Sequence, residues 1–237
     1  MTFASLFLFF DAFCSIFTLY RQFLHHLIHL QKNLSLLPGK KHARVKDMQS
    51  IISGAEAPQP QRISKEWYGK AVEPPFVYCF SYSPDGLEFV AARKAAAVVH
   101  PEGQCGAFQA ELWRYDTAEF FISTPTGNRY MEFNLSPNGA WWAAVFSAPR
   151  QIAAGFENWH PQGIVATGNS TAEGWCCRAL IPNVVLQEAG IDYTACKLTA
   201  AAILNSPEQI FLTTALPCDT QPDFHRPDLW EPAVVNA

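Results

Sequence analysis

Three strand-like runs, Ala118 to Thr124, Arg129 to Ser136 and Ala140 to Ser147, follow one another with only Pro125-Thr126-Gly127-Asn128 and Pro137-Asn138-Gly139 between them. Connections this short leave no room for a crossover, so the runs must pair with their neighbours as an antiparallel meander. Proline suits the first central position of a turn and glycine the position that needs a positive φ, which makes both breaks turns. The rest of the chain has to pack around this unit.

Side chains alternate across a strand, so Met131, Phe133 and Leu135 share one face and Tyr130, Glu132 and Asn134 the other. The apolar set is the core face. Which tryptophan joins the polar face depends on the second turn. A type I turn with Gly139 as a bulge pairs Ser136 with Ala140 and puts Trp142 opposite Asn134. A two-residue loop shifts the register by one and puts Trp141 there instead. Proline at the first central position disfavours the primed turns of two-residue loops, so the bulged form is expected.

Short runs and turns continue on both sides. Phe76 to Ser83 and Leu87 to Lys94 flank Pro84-Asp85-Gly86 as a hairpin, and Gly163 to Pro182 holds two further strands. Val184 to Ile191 is a short helix or turn stopped at Gly190. Tyr193 to Asn205 and Ile210 to Leu216 read as strands, and the four prolines of residues 217–235 exclude helix there. Charged residues make up 16%, aromatics 14%, and there are 17 prolines, a profile of many strands and turns rather than of a helical bundle. The expected architecture is all-β, an antiparallel β-sandwich over residues 67–237. It is preceded by a Pro-rich polar linker at 48–66 and an apolar, basic helical segment at 1–47.

Residues 3–20 form an apolar run whose single charge is Asp11, at the lower length limit of a membrane span, and helical spacing continues to Pro38-Gly39. No positive region precedes the run, unlike a secretory signal. If it inserts, the Lys and Arg that follow would keep the main domain cytoplasmic. Composition changes abruptly at Met48, which favours a start there, with 1–47 as translated upstream sequence and a cytoplasmic protein. The alternatives are a membrane-anchored or a secreted chain, and membrane contact is expected only if residues 1–37 are genuine. His25 and His29, at i, i+4, read as a helix face rather than a metal site.

Residues 1–47 carry six Lys/Arg against two Asp/Glu, and residues 48–237 eleven against nineteen. An acidic body without a basic stripe argues against nucleic acid as a partner. The seven cysteines show no CxxC and no zinc-like spacing, so they read as free thiols, with Cys176 and Cys177 on opposite faces of a strand.

Trp113, Asp116 and Glu119 lead into the first run of the meander, and Glu132, Asn134 and Trp142 lie on the next two. A sugar ring presents C–H bonds on its faces and hydroxyls at its rim, so it needs an apolar plate beside planar hydrogen-bonding groups. Covering about 100 Å² of a tryptophan face is worth roughly 2 to 3 kcal/mol before ordering costs. Each tryptophan alone would more often be core, and each acid solvated. Their grouping favours a polyhydroxylated ligand.

The segments LWRYDTAEFFI, RYMEFNLSPNGAWW, GWCCRALIP and PDFHRP, in this order, resemble the family 9 carbohydrate-binding modules and the wider DOMON-like superfamily, over roughly Trp67 to Val235. The resemblance implies a β-sandwich that binds saccharide chain ends between tryptophans, with hydroxyls held by acidic, Asn and Arg side chains, and in some members a structural calcium. On that pattern Trp113 is one stacking platform and Glu119 a hydroxyl-binding carboxylate. The second platform is Trp142, Trp175 or Trp230, and Arg129 is a hydroxyl-ligand candidate whose strand parity argues against it. The function expected is non-catalytic carbohydrate binding, with a saccharide partner and no required cofactor.

Two other functions compete. A glycoside hydrolase would use two of Asp116, Glu119 and Glu132 as acid and base, Glu119 with Glu132 above all. The sequence marks no raised pKa there, and the polar face reads as shallow. A haem-binding DOMON module would need Met131 with His100, His160 or His225, but Met131 falls on the core face. Nucleophile elbows and nucleotide-binding loops are missing from the sequence.

Overall fold

Glycine and proline turns set up the hairpins, and the strands between them form two sheets. The computed structural model describes residues 50–54, 58–205, 208–215 and 221–236. The expected N-terminal helix, its histidines and the candidate start at Met48 lie outside the described residues.

The first sheet contains β1 (Ile51–Gly54), β2 (Gln61–Lys65), β3 (Ala71–Ser83), β4 (Gly86–Arg93), β9 (Val165–Ser170), β10 (Trp175–Pro182) and β13 (Val234–Asn236). Its order is β13-β1-β3-β4-β10-β9, with β2 also pairing β3. The second sheet has β5 (Thr117–Ser123), β6 (Tyr130–Leu135), β7 (Trp141–Ala148), β8 (Gln151–Ile152), β11 (Lys197–Leu204) and β12 (Ile210–Thr213), ordered β12-β11-β5-β6-β7-β8. The pairs are antiparallel except those of β1, which runs parallel to both β3 and β13. The chain is therefore the β-sandwich that its alternation of runs and turns predicts.

Aromatic rings from both sheets fill the interior. Phe80 stacks on Phe89 at 4.9 Å within the first sheet, and both meet Phe120 of the second edge-on at 5.5 and 5.2 Å. Met131, Phe133 and Leu135 face this core, as alternation requires. Each such side chain contributes on the order of 2 to 3 kcal/mol by leaving water.

Composition misplaced the start of the sandwich. β1 and β2 lie inside the 48–66 stretch assigned to a linker, and Ile52 and Ile63 are buried in the core. Pro58 and Pro60 sit between the two strands, where no ladder hydrogen bond is needed, so a Pro-rich stretch still delivers strands on either side. The turn after β10 is a short helix, α1 (Asn183–Ala189), ended by Gly190 in the left-handed conformation at φ 75°. β11 is rich in alanine yet extended, because β5 and β12 pair with it on either edge.

The outer face of the second sheet also departs from expectation. Every residue of β5 and β6 is buried, on both faces. The cause is the segment 221–233, a strap whose Phe224, Leu229 and Trp230 pack on Phe121, Tyr130, Ala144 and Phe146. Pro222, Pro227 and Pro232 keep this strap out of helix. The polar face is thus partly covered by the strap, which leaves Glu119, Glu132 and Asn134 recessed rather than on a shallow surface. Among the described residues, no helix is long and apolar enough to cross a membrane.

Candidate functional site

The turn between β6 and β7 sets the register of the recess. Ser136 N–H donates to Ala140 O at 2.8 Å and Gly139 N–H to Ser136 O at 2.8 Å, with Gly139 at φ 87°. This is the bulged turn, and it puts Asn134 opposite Trp142 and Leu135 opposite Trp141. A Cβ on Gly139 would stand 2.6 Å from the Gly168 nitrogen, so the turn packs on β9 too closely for any side chain. Trp141 points inward, lies parallel to Phe133 at 6.0 Å and donates its Nε1–H to Gly106 O at 3.1 Å.

Glu119, Asn134 and Trp142 form one transverse row across β5, β6 and β7. Trp113, on a 3-10 turn (Leu112–Arg114) that packs on β6, is 41% exposed. Its ring meets that of Trp142 edge-to-face, with centroids 5.9 Å apart and planes at 72°. Buried Leu112 anchors the turn, and the buried Thr117 hydroxyl donates to Leu112 O at 2.9 Å.

Carboxylates line the floor. Asn134 Nδ2 donates to Glu132 Oε1 at 2.9 Å. Glu119 Oε1 and Asn134 Oδ1 are buried and make no hydrogen bond within the protein. Burying an acceptor without a partner costs about 1 to 3 kcal/mol, so these two oxygens are unsatisfied acceptors on this face. Burial, and then repulsion by Glu132, pushes the Glu119 carboxyl well above the usual carboxylate range. Burial pushes Glu132 up to about 7, against the pull of Asn134 and Arg150. Local sequence does not announce these shifts, because the burial behind them comes from distant segments.

His225 comes from the strap. Its Nδ1 lies 2.8 Å from the Tyr130 hydroxyl and its Nε2 3.6 Å from Glu132 Oε2. The Tyr130 hydroxyl also accepts from Arg150 N–H at 3.1 Å and reaches Ala148 O at 3.4 Å. Burial, helped by Arg150, lowers the His225 pKa to about 4 against the pull of Asp223. The imidazole is neutral at neutral pH, and its contact with Glu132 is not an ion pair.

Four candidates from the sequence lie away from this cluster. Asp116 is fully buried, and its carboxylate accepts from Val98 N–H at 3.2 Å and from Asn205 N–H, tying two loops together. Arg129 donates from Nε to Ala189 O at 2.7 Å, at the end of α1, with its guanidinium 4.9 Å from the Phe156 ring centre. Trp175 is buried in the main core and Trp230 under the strap, which leaves Trp142 as the tryptophan beside Trp113. Sequence reasoning put Tyr130 on this face and named His225 only as a haem-ligand candidate; it did not bring either to Glu132, and the signal for His225 was the PDFHRP segment at the end of the resemblance.

The haem arrangement meets a geometric obstacle: Met131 lies between the sheets while His225 sits on the outer face. Among the described residues, no three His, Cys, Asp or Glu side chains come together as metal ligands. Of the described cysteines, Cys79, Cys177 and Cys196 are buried free thiols, and Cys176 faces away from Cys177.

No protein-family model matches the sequence, and no curated protein does. Solved structures do. A candidate carbohydrate-binding protein from Bacteroides uniformis superposes with a TM-score of 0.58 at 13% identity, covering 78% of this chain and 97% of that one. A family 9 carbohydrate-binding module from Caldicellulosiruptor kristjanssonii in complex with cellotriose gives 0.53 at 8% identity, covering 80% and 94%. The same kind of module in complex with glucose gives 0.50 at 8%, covering 79% and 95%. Over nearly the whole length of these carbohydrate-binding structures, the chain has their β-sandwich fold.

Proposed function

We propose that this protein binds saccharide without turning it over, in the recess on the outer face of the second sheet. Trp113 and Trp142 provide the apolar plate, and Glu119, Glu132 and Asn134 hold ring hydroxyls. One observation carries this: two buried, unpartnered oxygens, Glu119 Oε1 and Asn134 Oδ1, lie in the same strand row as Trp142, whose ring meets the exposed Trp113. The fold shared with modules in complex with cellotriose and glucose supports the reading. So does the order of motifs that resembles family 9 and DOMON-like domains. Calcium is given no role. Calorimetric titration with glucose and cellotriose, comparing wild type with Trp113→Ala, tests the proposal. Saturable binding that the variant loses supports it, and no binding up to the millimolar range sinks it.

A hydrolase is the second reading, favoured by one specific feature. Glu119 and Glu132 are both held above the usual carboxylate range, as a general acid must be. Turnover of aryl glycosides, abolished by Glu119→Gln, would establish it in place of simple binding.

A further inference from the structure

The charge and hydrogen-bonding state of the recess floor points to a narrower class of ligand. Asn134 has its amide donor engaged by Glu132, so the oxygen it turns elsewhere can only accept, and the unpartnered Glu119 Oε1 accepts once its carboxyl is ionised. A sugar hydroxyl brings one proton to such a pair. An ammonium brings three, and a charge.

Glu119 and Glu132 occupy adjacent strands of the same face, both buried. Arg150, the cation that acts on Glu132, is 61% exposed and bonded to Asp223 Oδ2 at 3.0 Å. His225, the basic side chain that touches Glu132, is neutral at neutral pH. A cation between the carboxylates would relieve both their desolvation and their mutual repulsion. Trp142 stands in the same strand row as Glu119 and Asn134, and an indole face suits a positive group as well as C–H bonds.

We propose that the site takes saccharides that carry a protonated amine, with the ammonium seated against Glu119 Oε1 and Asn134 Oδ1, in preference to neutral sugars. This rests on the saccharide reading of the same recess.

Proton linkage follows from the groups that face the pair. These are Glu119 on β5, Tyr130 and Glu132 on β6, Arg150 after β7, and Asp223 and His225 on the strap. Burial holds both carboxyls above the usual carboxylate range, so a proton persists on the pair to higher pH than on free carboxylates. A seated ammonium displaces it to the buffer, so an aminated sugar binds more weakly as pH falls, while a neutral sugar displaces none.

The test uses the full chain at pH 7, titrated with glucose, N-acetylglucosamine, glucosamine and cyclohexylammonium. Glucosamine is expected to bind on the order of tenfold tighter than either neutral sugar, and its binding heat to change with buffer ionisation enthalpy. Glu119→Gln should bring the glucosamine-to-glucose ratio toward one. Should that variant not fold, the buffer dependence of the wild-type heats decides alone. Equal affinity for glucose and glucosamine overturns the inference while leaving saccharide binding intact. Cyclohexylammonium binding as tightly as glucosamine overturns it too, since the hydroxyls would then add nothing. If no sugar binds, the saccharide reading itself has failed.

Discussion

Asn134 stands directly opposite Trp142 across the β6–β7 ladder, and a glycine that tolerates no side chain keeps it there. A one-residue slip would bury Trp142 and bring Trp141 to the recess, exchanging an inner packing residue for an outer one. The recess therefore depends on Gly139 as much as on the groups that line it.

Gly139→Ala should lower stability by about 2 to 4 kcal/mol, from the positive φ and the clash with Gly168. Urea denaturation measures this directly. A variant as stable as wild type would show that the contact between the β6–β7 turn and β9 is looser than this.

The tryptophans should separate cleanly into two behaviours. Trp113→Ala, at an exposed position, is expected to cost less than about 1 kcal/mol of stability while weakening glucose binding tenfold or more, on the order expected for a lost stacking face. Trp141→Ala removes a buried ring and its bond to Gly106, and should cost about 3 to 5 kcal/mol. Thermal melts and titrations on the pair provide the check, and a Trp113 variant that unfolds would assign that residue to packing.

Glu132 has a folded pKa raised above its unfolded value, so the native state binds the extra proton. Its stabilising effect is complete below about 4.5 and is lost as pH rises toward about 7. His225 works in the opposite direction over roughly pH 4 to 6.5, because its lowered pKa makes acid destabilising there. Glu132→Gln keeps an acceptor for Asn134 and removes the charge, so it should gain on the order of 1 kcal/mol over wild type at pH 8 and nothing at pH 4. Paired denaturation curves at the two pH values decide this.

Asp116→Ala should leave Val98 N–H and Asn205 N–H without their acceptor and cost about 2 to 4 kcal/mol. The glucose affinity of the folded fraction should stay at the wild-type value. A lost affinity in a well-folded variant would return Asp116 to the recess.

Much of this architecture was legible because its determinants are local. Pro137, Asn138 and Gly139 specify a bulged turn by themselves, and that turn specifies Trp142. What escaped the sequence depends on distant segments. Asp116 and Glu119 are both short acids beside the same strand, and only the positions of Val98 and Asn205 make one of them a clamp. β1 and β2 were hidden because proline-rich composition masks strands too short to show alternation. The burial of the polar face was hidden because prolines in the strap announce that it is not helix, but not what it covers.

The strap has a further consequence, for the order in which the molecule forms. Its His225 and Trp230 complete the outer face, and β13, immediately after it, closes the first sheet beside β1 at the other end of the described chain. Contacts spanning so much sequence are slow to form, because loop closure precedes any gain from pairing. During synthesis the meander can pair as soon as it is made, yet its acidic floor stays open to water until residues 221–236 arrive. Ligand-binding competence is thus expected to appear last, as a single late event rather than by degrees.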